Sequence, residues 1–109
     1  MALNQLNFTF QVASPRPLPA SSAHFGVVGS GDIEVLLESA DLSGAVEVSV
    51  TTPVNGFEHV WQLVLKRFID SSQLGDVAIS INDNNATPAV VALRLEQALA
   101  EITQGDSDA

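Results

Sequence analysis

An α+β fold, a mainly antiparallel sheet of about five strands with two amphipathic helices packed on one face, follows from three features of the sequence. Short segments alternate apolar and polar residues with period two, and two longer segments carry apolar residues at helical spacing. The order of these segments is β-β-β-β-α-β-α, and each helical segment is apolar on one side only, which suits helices covering a single sheet face. At 109 residues the chain forms one domain, residues 1–109.

The first strand is read from Leu6, Phe8, Phe10 and Val12, which alternate with Asn7, Thr9 and Gln11. Residues 13–23 are rich in proline and serine, break regular structure and read as a mobile linker. Val27 and Val28, then Ile33, Val35 and Leu37, lie at strand spacing on either side of Gly29-Ser30-Gly31, so this stretch reads as a tight hairpin with Ser30 at its tip. Glycine on both flanks lets a bulky group close around the hydroxyl without backbone clash. A turn over residues 39–44 leads to a fourth strand on Val46, Val48 and Val50.

Phe57, Val60, Trp61, Val64, Leu65, Phe68 and Ile69 then form a full helical stripe. Asn55 stands where it would cap this helix with Glu58 as reciprocal partner, and Lys66 and Arg67 would complement the C-terminal end of the dipole. Val77, Ile79 and Ile81 mark a fifth strand. Thr87-Pro88 opens a second helix, with Val91, Leu95, Ala98 and Ile102 inward, that Gly105 and the acidic tail over 104–109 should stop.

Apolar residues make up 46% of the chain, which argues against disorder, and no apolar run approaches the ~20 residues of a membrane span. The N-terminus lacks the charged start and apolar block of a secretion signal, and cysteine is absent, so the expected compartment is the cytoplasm. Thirteen acidic residues against four basic ones, Arg16, Lys66, Arg67 and Arg94, give a net charge of −9, which argues against nucleic-acid and anionic-membrane partners. The same acidity either keeps the domain soluble or steers it to basic patches on other proteins.

Catalytic and metal motifs are weak. A nucleophile elbow needs glycine two positions either side of the serine, but Val28 and Asp32 stand there. A triad of Ser30 with His24 or His59 and Asp32 rests on geometry that spacing does not supply. Gly26, Gly29 and Gly31 match neither the dinucleotide fingerprint nor a phosphate loop, and Asp83-Asn84-Asn85 lacks the glycine and closing glutamate of a calcium loop. These readings leave no catalytic residue and no metal site, and from spacing alone Ser30 could equally fill an ordinary hairpin turn.

The stretch Gly26-Val27-Val28-Gly29-Ser30-Gly31-Asp32-Ile33-Glu34-Val35-Leu36-Leu37-Glu38 closely resembles the modification segment of the acyl carrier (delta) subunit of malonate decarboxylase. Val54-Asn55-Gly56 with Trp61 downstream, and Ala86-Thr87-Pro88-Ala89-Val90-Val91 leading to Leu93-Arg94-Leu95-Glu96-Gln97, are similar to that family's two helix openings in the same order. The resemblance implies that Ser30, in a turn supported by Gly29, Gly31 and Asp32, carries 2'-(5''-phosphoribosyl)-3'-dephospho-CoA through a phosphodiester link, and that its thiol holds acetyl or malonyl. It further implies a non-catalytic carrier whose partners are the transferase (alpha) and decarboxylase (beta and gamma) subunits, a prosthetic-group transferase and a malonyl transferase. The absence of cysteine accords with this, because a thioester then needs a thiol supplied by an attached group. Ile33 departs from the leucine frequent in the family, and the segment before His24 and the acidic end are individual to this chain. The acyl carrier (gamma) subunit of citrate lyase is the alternative within the class, and an unmodified acidic interaction module the alternative outside it. Alternation places Asp32 and Glu34 on the polar strand face beside Ser30, which makes them candidates for docking on basic partner surfaces.

Overall fold

The computed structural model describes residues 3–16, 25–29 and 33–107, with the side chains of 3–16 and 33–101. Five strands and two helices follow one another as β1 (Asn4–Phe10), β2 (Phe25–Gly29), β3 (Ile33–Ser39), β4 (Val46–Thr52), α1 (Glu58–Ser72), β5 (Val77–Asp83) and α2 (Pro88–Ser107). The strands form one sheet in the order β1-β4-β5-β3-β2. The β1–β4, β3–β5 and β2–β3 pairings are antiparallel, while β4 and β5 run parallel. The sheet is therefore mixed rather than antiparallel throughout. The parallel pair arises because α1 carries the chain back from the end of β4 to the start of β5, the connection that parallel neighbours require.

The register aligns the alternating apolar residues into rows across the sheet. Leu6, Val50, Ile81 and Val35 form one row, Phe8, Val48, Ile79 and Leu37 the next, and Phe10, Val46 and Val77 a third. These rows are the inner face, on which α1 places Trp61, Leu65, Phe68 and Ile69 and α2 places Val91, Leu95 and Ala98. A shift of one residue in any strand would turn its apolar set to the opposite face, so the pattern itself holds the register. The other face is polar. There Gln5 donates to Ser49 and accepts from Thr51 at 3.0 Å, and Asn82 donates to Glu34 at 3.2 Å.

Four local expectations are corrected. Asn55 and Glu58 do not form a capping box: Gly56 turns the chain at φ +83°, and α1 starts after Phe57, which makes no side-chain cap. Phe57 thus stands outside the helix and is half exposed rather than part of the buried stripe. Lys66 and Arg67 lie before the last turn of α1, and Lys66 instead pairs with Asp70 at 2.9 Å. The helix ends at Gln73 in the left-handed conformation, whose N–H bonds the carbonyl of Ile69. Finally, α2 continues through Gly105 to Ser107.

The stretch expected to be a linker, 13–23, is fixed at its start. Arg16 N–H donates to the Gln73 carbonyl and the Arg16 carbonyl accepts from Gly75 N–H, each at 2.8 Å; residues 17–23 lie outside the described residues. Asp76 closes the same end of the sheet. Its Oδ1 accepts from the N–H groups of Gly44 (2.8 Å) and Leu42 (3.0 Å). These backbone donors, Gly44 foremost, hold its carboxyl below the usual value against the opposing effect of partial burial.

Candidate functional site

The opposite end of the sheet is where the hairpin lies. β2 and β3 pair from Phe25 opposite Glu38 to Gly29 opposite Glu34, and Ser30 follows Gly29 directly in the sequence that joins them. Ser30, Gly31 and Asp32 themselves lie outside the described residues, as does His24. Glu34 is exposed on the polar face, as expected. His59 is exposed on α1, and among the described residues no group of three His, Cys, Asp or Glu side chains could hold a metal ion.

Several elements converge at this end. Because α1 leaves the end of β4 and α2 the end of β5, both helices start here and run back along the sheet in the same direction. Their N-terminal, partially positive ends therefore lie on the hairpin side of the molecule. Asp83, the last residue of β5, pairs with Ile33, the first residue of β3. It is 8% exposed, and its two oxygens join the two helix-entry loops. Oδ2 accepts from the hydroxyl of fully buried Thr52 at 2.7 Å, and Oδ1 accepts from Ala86 N–H at 2.8 Å; the Thr52 hydroxyl accepts in turn from Val54 N–H at 3.1 Å.

In the sequence, Asp83 is noticed only within a stretch that fails as a calcium loop, and this role is missed. The signal is parity: Thr52 continues the inward set Val46, Val48, Val50, and Asp83 continues Val77, Ile79, Ile81. A polar residue on the inward parity at the end of each of two neighbouring strands predicts a buried polar pair that must satisfy itself.

A cavity of about 340 Å³ opens beside this pair, between the N-terminal halves of the two helices. Its walls are largely apolar, with Val60, Trp61 and Val64 from α1 and Ala86 and Val91 from the α2 side. Phe57, Asn85 and Thr87 also line it and are exposed, which places them at its mouth. None of Arg16, Lys66, Arg67 and Arg94 lines it. Trp61 and Phe57, assigned by periodicity to packing, thus divide: Trp61 is core and cavity wall, and Phe57 is a half-exposed ring at the mouth.

Comparison with known proteins places the chain. Residues 20–102 match the family model for the malonate decarboxylase delta subunit (MdcD), an acyl carrier protein. The malonate decarboxylase acyl carrier protein of Malonomonas rubra is 58% identical over 99 residues, covering 91% of this chain and 88% of that protein. The protein of the same name from Stenotrophomonas maltophilia strain K279a is 42% identical over 104 residues, covering 95% and 98%. Among solved structures, a chain in the crystal structure of a Pseudomonas malonate decarboxylase hetero-tetramer in complex with malonate superposes with a TM-score of 0.64 at 36% identity, covering 94% of this chain and 99% of that one. A family model spanning most of the chain, a majority-identical relative and a shared fold agree, and the chain belongs to the malonate decarboxylase delta-subunit family of acyl carrier proteins.

Proposed function

We propose that this chain is the non-catalytic carrier of a multi-subunit malonate decarboxylase, and that Ser30 is the single attachment site of a 2'-(5''-phosphoribosyl)-3'-dephospho-CoA group. The carrying observation is the antiparallel pairing of β2 and β3, which brings Gly29 and Ile33 to the sheet end where both helices begin, in a chain that has no thiol of its own. When attached, the group supplies the thiol that holds acetyl or malonyl as a thioester. The chain's part is to present, not to react. The rigid sheet fixes the base of the hairpin, while Gly29 and Gly31 leave room for an attachment enzyme to close around the Ser30 hydroxyl.

The acidity of the surface has a role beside a tethered acyl group. Tethering an acyl group makes its delivery to each partner effectively intramolecular, at roughly millimolar local concentration when the arm spans the sites, so strong carrier–partner affinity is not needed. Asp32 and Glu34 beside the tether then act on encounter with basic partner surfaces, in the transferase and decarboxylase subunits. No helix among the described residues is long and apolar enough to cross a membrane.

Co-expression with the attachment enzymes tests the assignment. Intact mass spectrometry should show one prosthetic-group addition on the wild-type chain and none on Ser30→Ala. A Ser30→Ala chain that still gains the mass refutes it, and a wild-type chain that never gains it favours the unmodified interaction module.

A further inference from the structure

We propose that the cavity between the N-terminal halves of α1 and α2 holds the adenine base of the arm carried on Ser30, leaving the pantetheine end free to reach the partner subunits. The inference rests on the attachment at Ser30 proposed above. It starts from position. Asp83 lines the cavity and pairs directly with Ile33, and three peptide units separate Ile33 from Ser30, a span of at most about 11 Å. The cavity mouth, marked by Phe57, Asn85 and Thr87, is therefore within the neighbourhood that a nucleotide tethered to Ser30 sweeps.

Charge then selects which part of the arm enters. The phosphodiester and diphosphate are anionic, and the cavity is bordered by the Asp83 carboxylate with no cationic side chain in its lining. Only the neutral parts of the arm, the base and the pantetheine, suit it. At about 340 Å³ the volume falls within the range of small-molecule sites, and its apolar walls with a few polar groups at the mouth have the usual make-up of one.

Shape and chemistry decide between the two neutral parts. A purine is flat, and the cavity offers aromatic surface from Trp61 inside and Phe57 at the mouth, against which a π-face gains offset or edge contacts. The edge of adenine carries one exocyclic donor and ring acceptors. The Asn85 amide and Thr87 hydroxyl supply both kinds of partner, and each Asp83 oxygen keeps a lone pair beyond the single bond it accepts. The base also precedes the pantetheine along the covalent chain from Ser30. Holding the base shortens the free tether to the pantetheine and directs it from one end of the sheet, which raises the thiol's effective concentration over that end.

The test uses the full chain loaded at Ser30, with loading verified by intact mass. With methyl-labelled protein, NOEs from the adenine H2 and H8 protons to methyl groups of Val60, Ala86 and Val91 are expected, and the emission of Trp61, the sole tryptophan in a chain without tyrosine, should change on loading. Ala86→Phe, which projects a ring from the wall into the cavity, should abolish the base NOEs to Val60 and Val91 while leaving the mass addition intact. Phe57→Ala, at a half-exposed position outside both helices, serves as the second variant; it should weaken the NOEs and return Trp61 emission toward that of the unloaded chain. Loaded chain with no base-to-methyl NOE, or with NOEs from the pantetheine methyls instead, overturns this inference and leaves the Ser30 assignment standing. Failure to gain the mass overturns the assignment, and this inference with it.

Discussion

Removing the Asp83 carboxylate should destabilise the domain more than its position at the end of a strand suggests. The side chain is 8% exposed and accepts two hydrogen bonds, from Thr52 Oγ1 at 2.7 Å and Ala86 N–H at 2.8 Å. Hydrogen bonds to a charged group contribute about 1.5–3 kcal/mol each, and truncation strands both donors in a buried setting; relief of the buried charge offsets part of this, leaving a loss of about 3 kcal/mol for Asp83→Ala. Asp83→Asn keeps an acceptor for Ala86 and should lose only about 1 kcal/mol. Thr52→Val keeps the shape but strands the Val54 N–H and one carboxylate oxygen, for about 2 kcal/mol. Because both residues share one bond, the double variant should fall short of the sum by about 1–2 kcal/mol. Urea unfolding at constant m-value measures these differences, and for a domain of this size 3 kcal/mol corresponds to a fall in Tm of about 15 °C. Hydrogen exchange at Ala86 and Val54 should accelerate before that of the central strands. Losses within about 0.5 kcal/mol for both Asp83→Ala and Thr52→Val would show that water serves these groups equally well, and refute the reasoning.

Gly75→Ala should destabilise by about 2 kcal/mol or more, because the new Cβ would stand 2.5 Å from the Gly44 carbonyl oxygen and against Pro15, neither of which is a movable side-chain end; wild-type stability in urea would contradict this. The folded-state pKa of Asp76 lies below its unfolded value, so its contribution is full above the ordinary carboxylate range and is lost as pH falls through the lowered folded value. Asp76→Asn, which tolerates the φ of +57° there, should therefore be less stable than wild type at neutral pH, with the gap closing below about pH 4; a constant gap across an acid titration would remove the carboxylate's role. Replacing Asp32 and Glu34 with Asn and Gln in already modified protein should slow association with the partner subunits and flatten its salt dependence, and unchanged rates by stopped flow would rule out docking through this edge. Ser30→Ala should leave unfolding midpoints within about 0.5 kcal/mol of wild type, whereas a large loss would make the hydroxyl a structural partner.

Periodicity carried most of the architecture, because each strand buries one face and each helix one stripe. Val46, Val48, Val50, Val77, Ile79 and Ile81 are all buried where alternation places them, and the α1 stripe from Trp61 to Ile69 packs as read. Which strands become neighbours is a different matter. Alternation reports a face and not a partner, so the parallel β4–β5 pair was legible only from the helix that joins them. The misplaced helix start has a local cause: Asn55 and Glu58 have capping-box spacing, but the positive φ of Gly56 between them belongs to a turn, and the helix begins two residues later than the motif implies. The hairpin segment was readable as a motif because its residues are contiguous. The cavity was not, since its lining comes from the β4–α1 loop, α1, the β5–α2 loop and α2, brought together only by the parallel course of the two helices.

The strand order also bears on when the carrier segment becomes competent during synthesis. β1 and β2 are consecutive in sequence yet occupy opposite edges of the sheet, about 19 Å apart by strand spacing, and everything between them is made later. As the chain emerges from the ribosome, β2 and β3 can meet as a hairpin, but Ile33, Val35 and Leu37 have no cover until β5 supplies the neighbouring strand and α2 packs over them. A two-stranded hairpin alone is marginal in water. The last two elements translated thus complete the support of β3, and the β2–β3 pair gains its full backing only when the C-terminal third of the chain has been made.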